Sequence, residues 1–158
     1  METALGVGLP KQPGVGSCVQ AAKPQLGQVC QREPSSEDAD SEAVARGVQR
    51  CFRNSGQSCN APTRMLVEKS IYNETVEKVK ELANSTKVDS PQKEGDHIGP
   101  VVSEAQYNKI QTLIQKGIDE GAKLVAGGTG KPKGLEKGYY VKPTVFADVN
   151  NQMEIART

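Results

Sequence analysis

From Glu37 onward the chain alternates apolar stripes of helical period with short apolar runs, and this alternation constrains the fold more than any other feature. Val44, Val48, Cys51 and Phe52 share one helical face; Asp40 or Ser41 can cap that helix and Gly56 can end it. Arg64 to Glu68 reads as a short buried strand. A second helix is expected from Asn73 to Ala83, with Val76, Val79 and Leu82 on one side. A polar loop, 84–100, follows. Ser103 and Gln106 have capping-box spacing, and the stripe Ile110, Leu113, Ile114, Ile118 runs to Gly121, which suits the C′ position. Lys123 to Ala126 reads as a strand, Gly127 to Gly138 as a loop, and Tyr139 to Val149 as a strand interrupted by Pro143. Helices alternating with short strands specify an α/β layer architecture.

Residues 1–36 have another character. They hold five Gly and four Pro, no aromatic residue and no sustained period, the composition of an irregular or disordered lead. Two units are therefore expected, an irregular 1–36 and a folded 37–158. With 20 basic and 19 acidic residues, the net charge of +1 offers no field for attracting nucleic acid. No apolar stretch approaches the length a bilayer requires. The start, METALGVGLPKQPGVG, lacks the basic and apolar regions of a signal peptide, so the expected location is cytoplasmic.

Four cysteines stand at 18, 30, 51 and 59, none in CxxC spacing, and His97 is the single histidine. That pattern does not specify a metal site. Cys51 falls on the first helical stripe and is expected to be a buried core thiol. Cys59 differs. It sits in FRNSGQSCNAPTR among small and polar residues with no apolar face, so its thiol is expected to be displayed.

That run resembles the catalytic-cysteine signature of the aldehyde dehydrogenase superfamily, Asn-x-Gly-Gln-x-Cys followed by Thr-Arg, filled here by Asn54, Gly56, Gln57, Cys59, Thr63 and Arg64. The similarity continues on both sides. DADSEAVARGVQRCF is similar to the family's approach helix, MLVEKSIYNETVEKVKE to the strand and helix after the nucleophile, and GYYVKPTVFADV to its "PTVF" strand. IGPVVSEAQYNKIQTLIQKGIDEGAKLVAGG resembles the helix-strand unit between them. The resemblance implies part of the catalytic domain, a parallel-type sheet with flanking helices.

It also implies a chemistry. A cysteine thiolate attacks an aldehyde, hydride leaves to NAD or NADP, and water hydrolyses the resulting thioester to a carboxylic acid. By resemblance Cys59 is the nucleophile, its backbone N–H is one oxyanion donor, and Gln106 and Lys109 stand where the family contacts the cofactor ribose. The implied partner is an aldehyde substrate, and the parent enzyme is expected to be a homo-oligomer.

The chain also departs from the family. Gln25-Leu26-Gly27-Gln28 stands where the family has Glu-Leu-Gly-Gly-Lys, whose Glu is the general base. Gln accepts no proton at neutral pH, and losing a general base commonly costs about 10²–10⁴-fold in rate. The permitted codons of GQVCQR, read one base out of frame, can spell Gly-Lys-Ser-Ala-Asn-Val, which suggests a frameshift near Gly27 restored before Asp38. The family's cofactor-binding domain and Asn oxyanion donor lie upstream of the matched region, so this piece alone is expected to be inactive. Two other readings compete: a non-catalytic module that folds against a partner or a second copy, and a redox-responsive thiol protein using Cys51 and Cys59.

Overall fold

The computed structural model describes residues 15–21 and 37–157. Its strands are β1 (Val15–Ala21), β2 (Arg64–Glu68), β3 (Lys123–Ala126) and β4 (Val145–Val149). Its helices are α1 (Glu37–Phe52), α2 (Tyr72–Ser85) and α3 (Glu104–Asp119). The sheet order is β2-β1-β4-β3.

β4 is the centre of the molecule because both of its faces are covered. Val145 and Ala147 pack with Val48 and Phe52 of α1 and with Val76 and Val79 of α2. Phe146 and Val149 point the other way, among Ile110 and Ile114 of α3 and Ile155. Strict alternation would put residue 149 with 145 and 147. Asp148 prevents this by adopting φ 56. The register against β1 advances from Cys18↔Val149 to Gln20↔Phe146, so β4 holds one extra residue, a β-bulge that returns Val149 to the Phe146 face. Tyr72 fixes the bulge: its hydroxyl donates to Asp148 Oδ1 at 2.8 Å and accepts from the Asp148 N–H at 3.0 Å.

The α/β class follows from this three-layer packing, and most expected elements stand where the pattern places them. α3 is capped as its spacing predicts, with Ser103 Oγ accepting from the Gln106 N–H at 3.2 Å. It ends in a Schellman motif: the Gly121 N–H reaches the Ile118 carbonyl, the Ala122 N–H reaches that of Gly117, and Gly121 has φ +87. Gly117 is required for a second reason. A Cβ there would lie 2.9 Å from Ile155 Cδ1 and 3.1 Å from Phe146 Cζ, so its absence lets α3 settle onto β4.

Several details differ from expectation. The pairings β1–β2, β1–β4 and β3–β4 are all antiparallel, not of parallel type. β2 and β4 do run in the same direction, as the intervening helices α2 and α3 require, but β1 lies between them. β3 returns to β4 through the helix-free stretch 127–144, which allows an antiparallel neighbour. β1 itself lies inside the segment expected to be irregular. Its order comes from ladders on two sides, a tertiary cause that leaves no periodicity in the sequence. α1 begins at Glu37, ahead of the expected caps.

The last strand starts at Val145 and not at Tyr139. Pro143 has no N–H to give a ladder, and Thr144 turns its buried hydroxyl back to the local chain, donating to the Lys142 carbonyl and accepting from the Gly128 N–H. β2 reads as a buried strand in the sequence, yet only Val67 is buried, because β2 is an edge strand of the described sheet. The polar stretch 84–100 is organised by a Val88↔Ile98 bridge. The Lys93 ammonium and the Ser90 N–H hold the Asp89 carboxyl below its usual range there, and His97 Nε2 lies 3.0 Å from the Ser90 carbonyl.

Candidate active site

The cysteine loop is shaped by a backbone reversal directly after α1. Asn54 and Ser55 adopt φ 54 and 55, and Gly56 has φ 74, three successive left-handed residues. Asn tolerates that region and Gly is at ease in it; a Ser there is strained by roughly 1–3 kcal/mol. Ser55 has a compensating bond, its Oγ donating to the Gly99 carbonyl at 2.6 Å. The reversal carries the chain from the buried Cys51 to the surface within a few residues.

Gln57 then clamps the loop. Its Oε1 accepts from the Val102 N–H at 2.8 Å, while Nε2 donates to the carbonyls of Asn54 at 3.2 Å and Pro100 at 3.4 Å. The Asn54 side-chain amide donates back to the Gln57 carbonyl at 3.4 Å. Asn54, Gly56 and Gln57 of the signature are therefore the residues that build the loop.

Cys59 and Asn60 are the central residues of a turn closed by the Ala61 N–H on the Ser58 carbonyl at 3.1 Å. Cys59 is exposed and its thiol is free, as the composition of the run predicts, whereas Cys51 is buried, 6% exposed. Among the described residues nothing accepts a hydrogen bond from the amide N–H of Cys59 or Asn60. An exposed thiol thus stands on a tight turn beside two N–H donors that are uncommitted among the described residues.

Thr63 and Arg64 complete the signature and anchor the chain beyond the turn. Thr63 is 5% exposed and lines a small crevice of about 20 Å³ with Gly47, Cys51, Phe52 and Val145. That volume suits one water. Arg64 Nη2 donates to the Ala156 carbonyl, tying the start of β2 to the turn at residues 154–156. Glu120 Oε2 accepts from the Glu154 N–H of the same turn at 2.8 Å, so α3 holds it as well.

Gln106 and Lys109 lie in the first turns of α3, three residues apart and so on one face, Gln106 half-buried and Lys109 exposed. The Gln57–Val102 bond places the cysteine loop against the residue next to the α3 cap, which brings these polar groups to the same end of the molecule. A groove of about 330 Å³, lined by residues including Ala83, Thr86, Gly127 and Lys142, contains none of them. Gln25 to Gln28 and the reading of residues 27–32 lie outside the described residues. Among the described residues no three His, Cys, Asp or Glu side chains gather to hold a metal, and no helix is long and apolar enough to cross a membrane.

Sequence reasoning missed the clamp's far side. Ser55 fills a variable position of the signature, and Gly99, Pro100 and Val102 accept or donate through backbone atoms, which carry no side-chain signal. The only cue was the glutamine, a long amide placed two residues before the cysteine.

The exposed thiol stands on a clamped turn, ahead of an edge strand of the described sheet and beside the capped helix α3. The sequence matches the aldehyde dehydrogenase family over residues 36–158. The chain belongs to that family. It is 48% identical over 122 residues to a 3-succinoylsemialdehyde-pyridine dehydrogenase of a Pseudomonas species, a match covering 77% of this chain and 26% of that protein. A crystal structure of aldehyde dehydrogenase from Bartonella henselae superposes with a TM-score of 0.71 at 62% identity, covering 72% of this chain and 24% of that one. Aldehyde dehydrogenase C of Pseudomonas syringae, crystallised as a cysteine-to-alanine mutant with NAD+ and octanal, superposes with a TM-score of 0.77 at 41% identity, covering 84% of this chain and 27% of that one. The chain thus spans about a quarter of the length of the curated relatives it matches, 26% in the example above.

Proposed function

We propose that this chain carries the nucleophile of NAD(P)+-dependent oxidation of an aldehyde to a carboxylic acid, and that Cys59 is that nucleophile. The observation that carries the reading is the exposed Cys59 thiol on a turn whose Cys59 and Asn60 N–H groups are uncommitted among the described residues. Once deprotonated, the Cys59 sulfur attacks the aldehyde carbon. A C–S bond forms and the carbonyl π pair moves to oxygen, giving an oxyanion that the Cys59 N–H is placed to receive. Donors held by the backbone need no reorganisation as that charge develops.

When bound, a nicotinamide cofactor supplies the hydride acceptor. Gln106 and Lys109 fit a contact with its ribose: an amide and an ammonium on one polar face can meet hydroxyl oxygens. Cys59 then retains the acyl group as a thioester until water releases the acid. Gln25, standing at the family's base position, makes that release the slow step. The octanal bound to one relative and the 3-succinoylsemialdehyde-pyridine in the name of another support an organic aldehyde as the substrate. Homo-oligomeric assembly and a cytoplasmic setting rest on the family resemblance alone.

The test is protection. Octanal is expected to slow iodoacetamide alkylation of Cys59 by reversibly occupying the sulfur, while a long-chain alcohol of equal length does not. Equal alkylation rates with aldehyde and alcohol would overturn the proposal.

A further inference from the structure

We infer that Gln57 is a positioning residue whose side-chain amide stands in for a peptide group and locks the Cys59 turn to the segment leading into α3. A peptide presents one C=O and one N–H to its neighbour; the Gln57 amide presents the same pair. Its Oε1 takes the Val102 N–H at 2.8 Å and its Nε2 gives to the Pro100 carbonyl at 3.4 Å, the bonds a passing strand would make. Nε2 also holds the Asn54 carbonyl at 3.2 Å, which fixes the left-handed reversal behind the loop. Ser55 adds a parallel tie to the Gly99 carbonyl. Residues 54–57 and 99–102 are thereby stitched together without a strand ladder between them.

The exposure of Val102 shows what the latch must do. Val102 is 81% exposed, so its own side chain contributes no burial, whereas Val101 before it is buried and its N–H donates to the Tyr139 carbonyl at 2.9 Å. Loss of the amide frees Val102 and the turn from each other, and the Cys59 sulfur shifts relative to the N–H donors and to the α3 face bearing Gln106 and Lys109. Misplacement of reacting groups by about 1 Å can cost on the order of 10²-fold in rate.

The inference rests on the reading of Cys59 as nucleophile for its chemical readout but not for its structural one, and the experiment keeps the two apart. The full chain and its Gln57→Ala and Gln57→Glu variants are compared in three ways: amide hydrogen exchange at Val102, acylation of Cys59 by p-nitrophenyl acetate, and alkylation of Cys59 by iodoacetamide, which develops no oxyanion. In the wild type the Val102 amide is expected to be protected despite its exposure. Gln57→Ala should lose that protection and lower acylation by about 10- to 100-fold, with alkylation changed by less than about threefold. That split between reagents separates positioning from general unfolding. Gln57→Glu keeps the acceptor for Val102 but has no donor for Pro100 and Asn54, so it should retain exchange protection and acylate at an intermediate rate.

Wild-type acylation in Gln57→Ala, or undiminished protection of Val102, would overturn the inference. If the wild-type chain is not acylated at Cys59, the nucleophile reading fails, and Val102 exchange in Gln57→Ala decides the latch alone: lost protection supports it and kept protection overturns it.

Discussion

Replacing Cys59 by alanine should reduce acyl uptake from an activated ester to the rate of the free ester in buffer. The prediction is this large because the sulfur is the atom that forms the bond. Cys51 cannot substitute, being buried on the inner face of α1 beside a crevice of only about 20 Å³. A Cys51→Ala variant serves as the comparison: it loses a core contact and some stability but should keep acylation at Cys59. A Cys59→Ala chain that still takes up acyl groups at the wild-type rate would move the chemistry to another residue.

The largest structural effect is expected at Gly127, where β3 hands over to the loop that returns to β4. Gly127 has φ +77, and a Cβ there would lie 2.2 Å from the Pro143 carbonyl oxygen and 2.6 Å from Thr144 Oγ1. Backbone cannot move aside as a flexible side chain can, and Thr144 is held by two hydrogen bonds. Gly127→Ala should therefore cost about 3 kcal/mol or more, combining the left-handed penalty with a displaced β4. For a domain with a typical stability of about 5–15 kcal/mol that is a large share. Gly134 provides the control. Its φ of +82 is nearly the same, but nothing lies within 4 Å of its would-be Cβ. Gly134→Ala should cost only about 1 kcal/mol. Urea midpoints at unchanged m give both values. Equal losses at the two glycines would show that the close approach of Pro143 does not constrain the fold.

The contrast between helices and strands shows what the sequence disclosed. α3 was readable from cap to terminus, because Ser103, the Ile110–Ile118 stripe and Gly121 act within a few residues of one another. β1 was not, since its order depends on β2 and β4, which lie far along the chain. The β4 bulge was equally silent. An Asp at 148 says nothing until the Tyr72 hydroxyl arrives from α2 to hold it. Pro143 did mark the true strand start, though its effect extended through Thr144.

The site divides in the same way. Cys59 stood out because its neighbours are small and polar, and its exposure followed from that composition. Gln57 and Arg64 were legible as parts of a pattern but not as a latch and an anchor, since their partners are carbonyls and an N–H that any residue could supply. Backbone partners are invisible to a reading of side chains.

The measurement that bears most directly on Cys59 as nucleophile is the location of the acyl group after a brief exposure of the folded wild-type chain to p-nitrophenyl acetate. Trypsin releases residues 54–64 as one peptide between Arg53 and Arg64, with Cys59 as its single cysteine. The label is expected on that peptide, stoichiometric with released nitrophenolate, and not on the peptides carrying Cys18, Cys30 or Cys51. Label spread evenly over the four cysteines, or absent from residues 54–64, would contradict the assignment of Cys59 as the nucleophile.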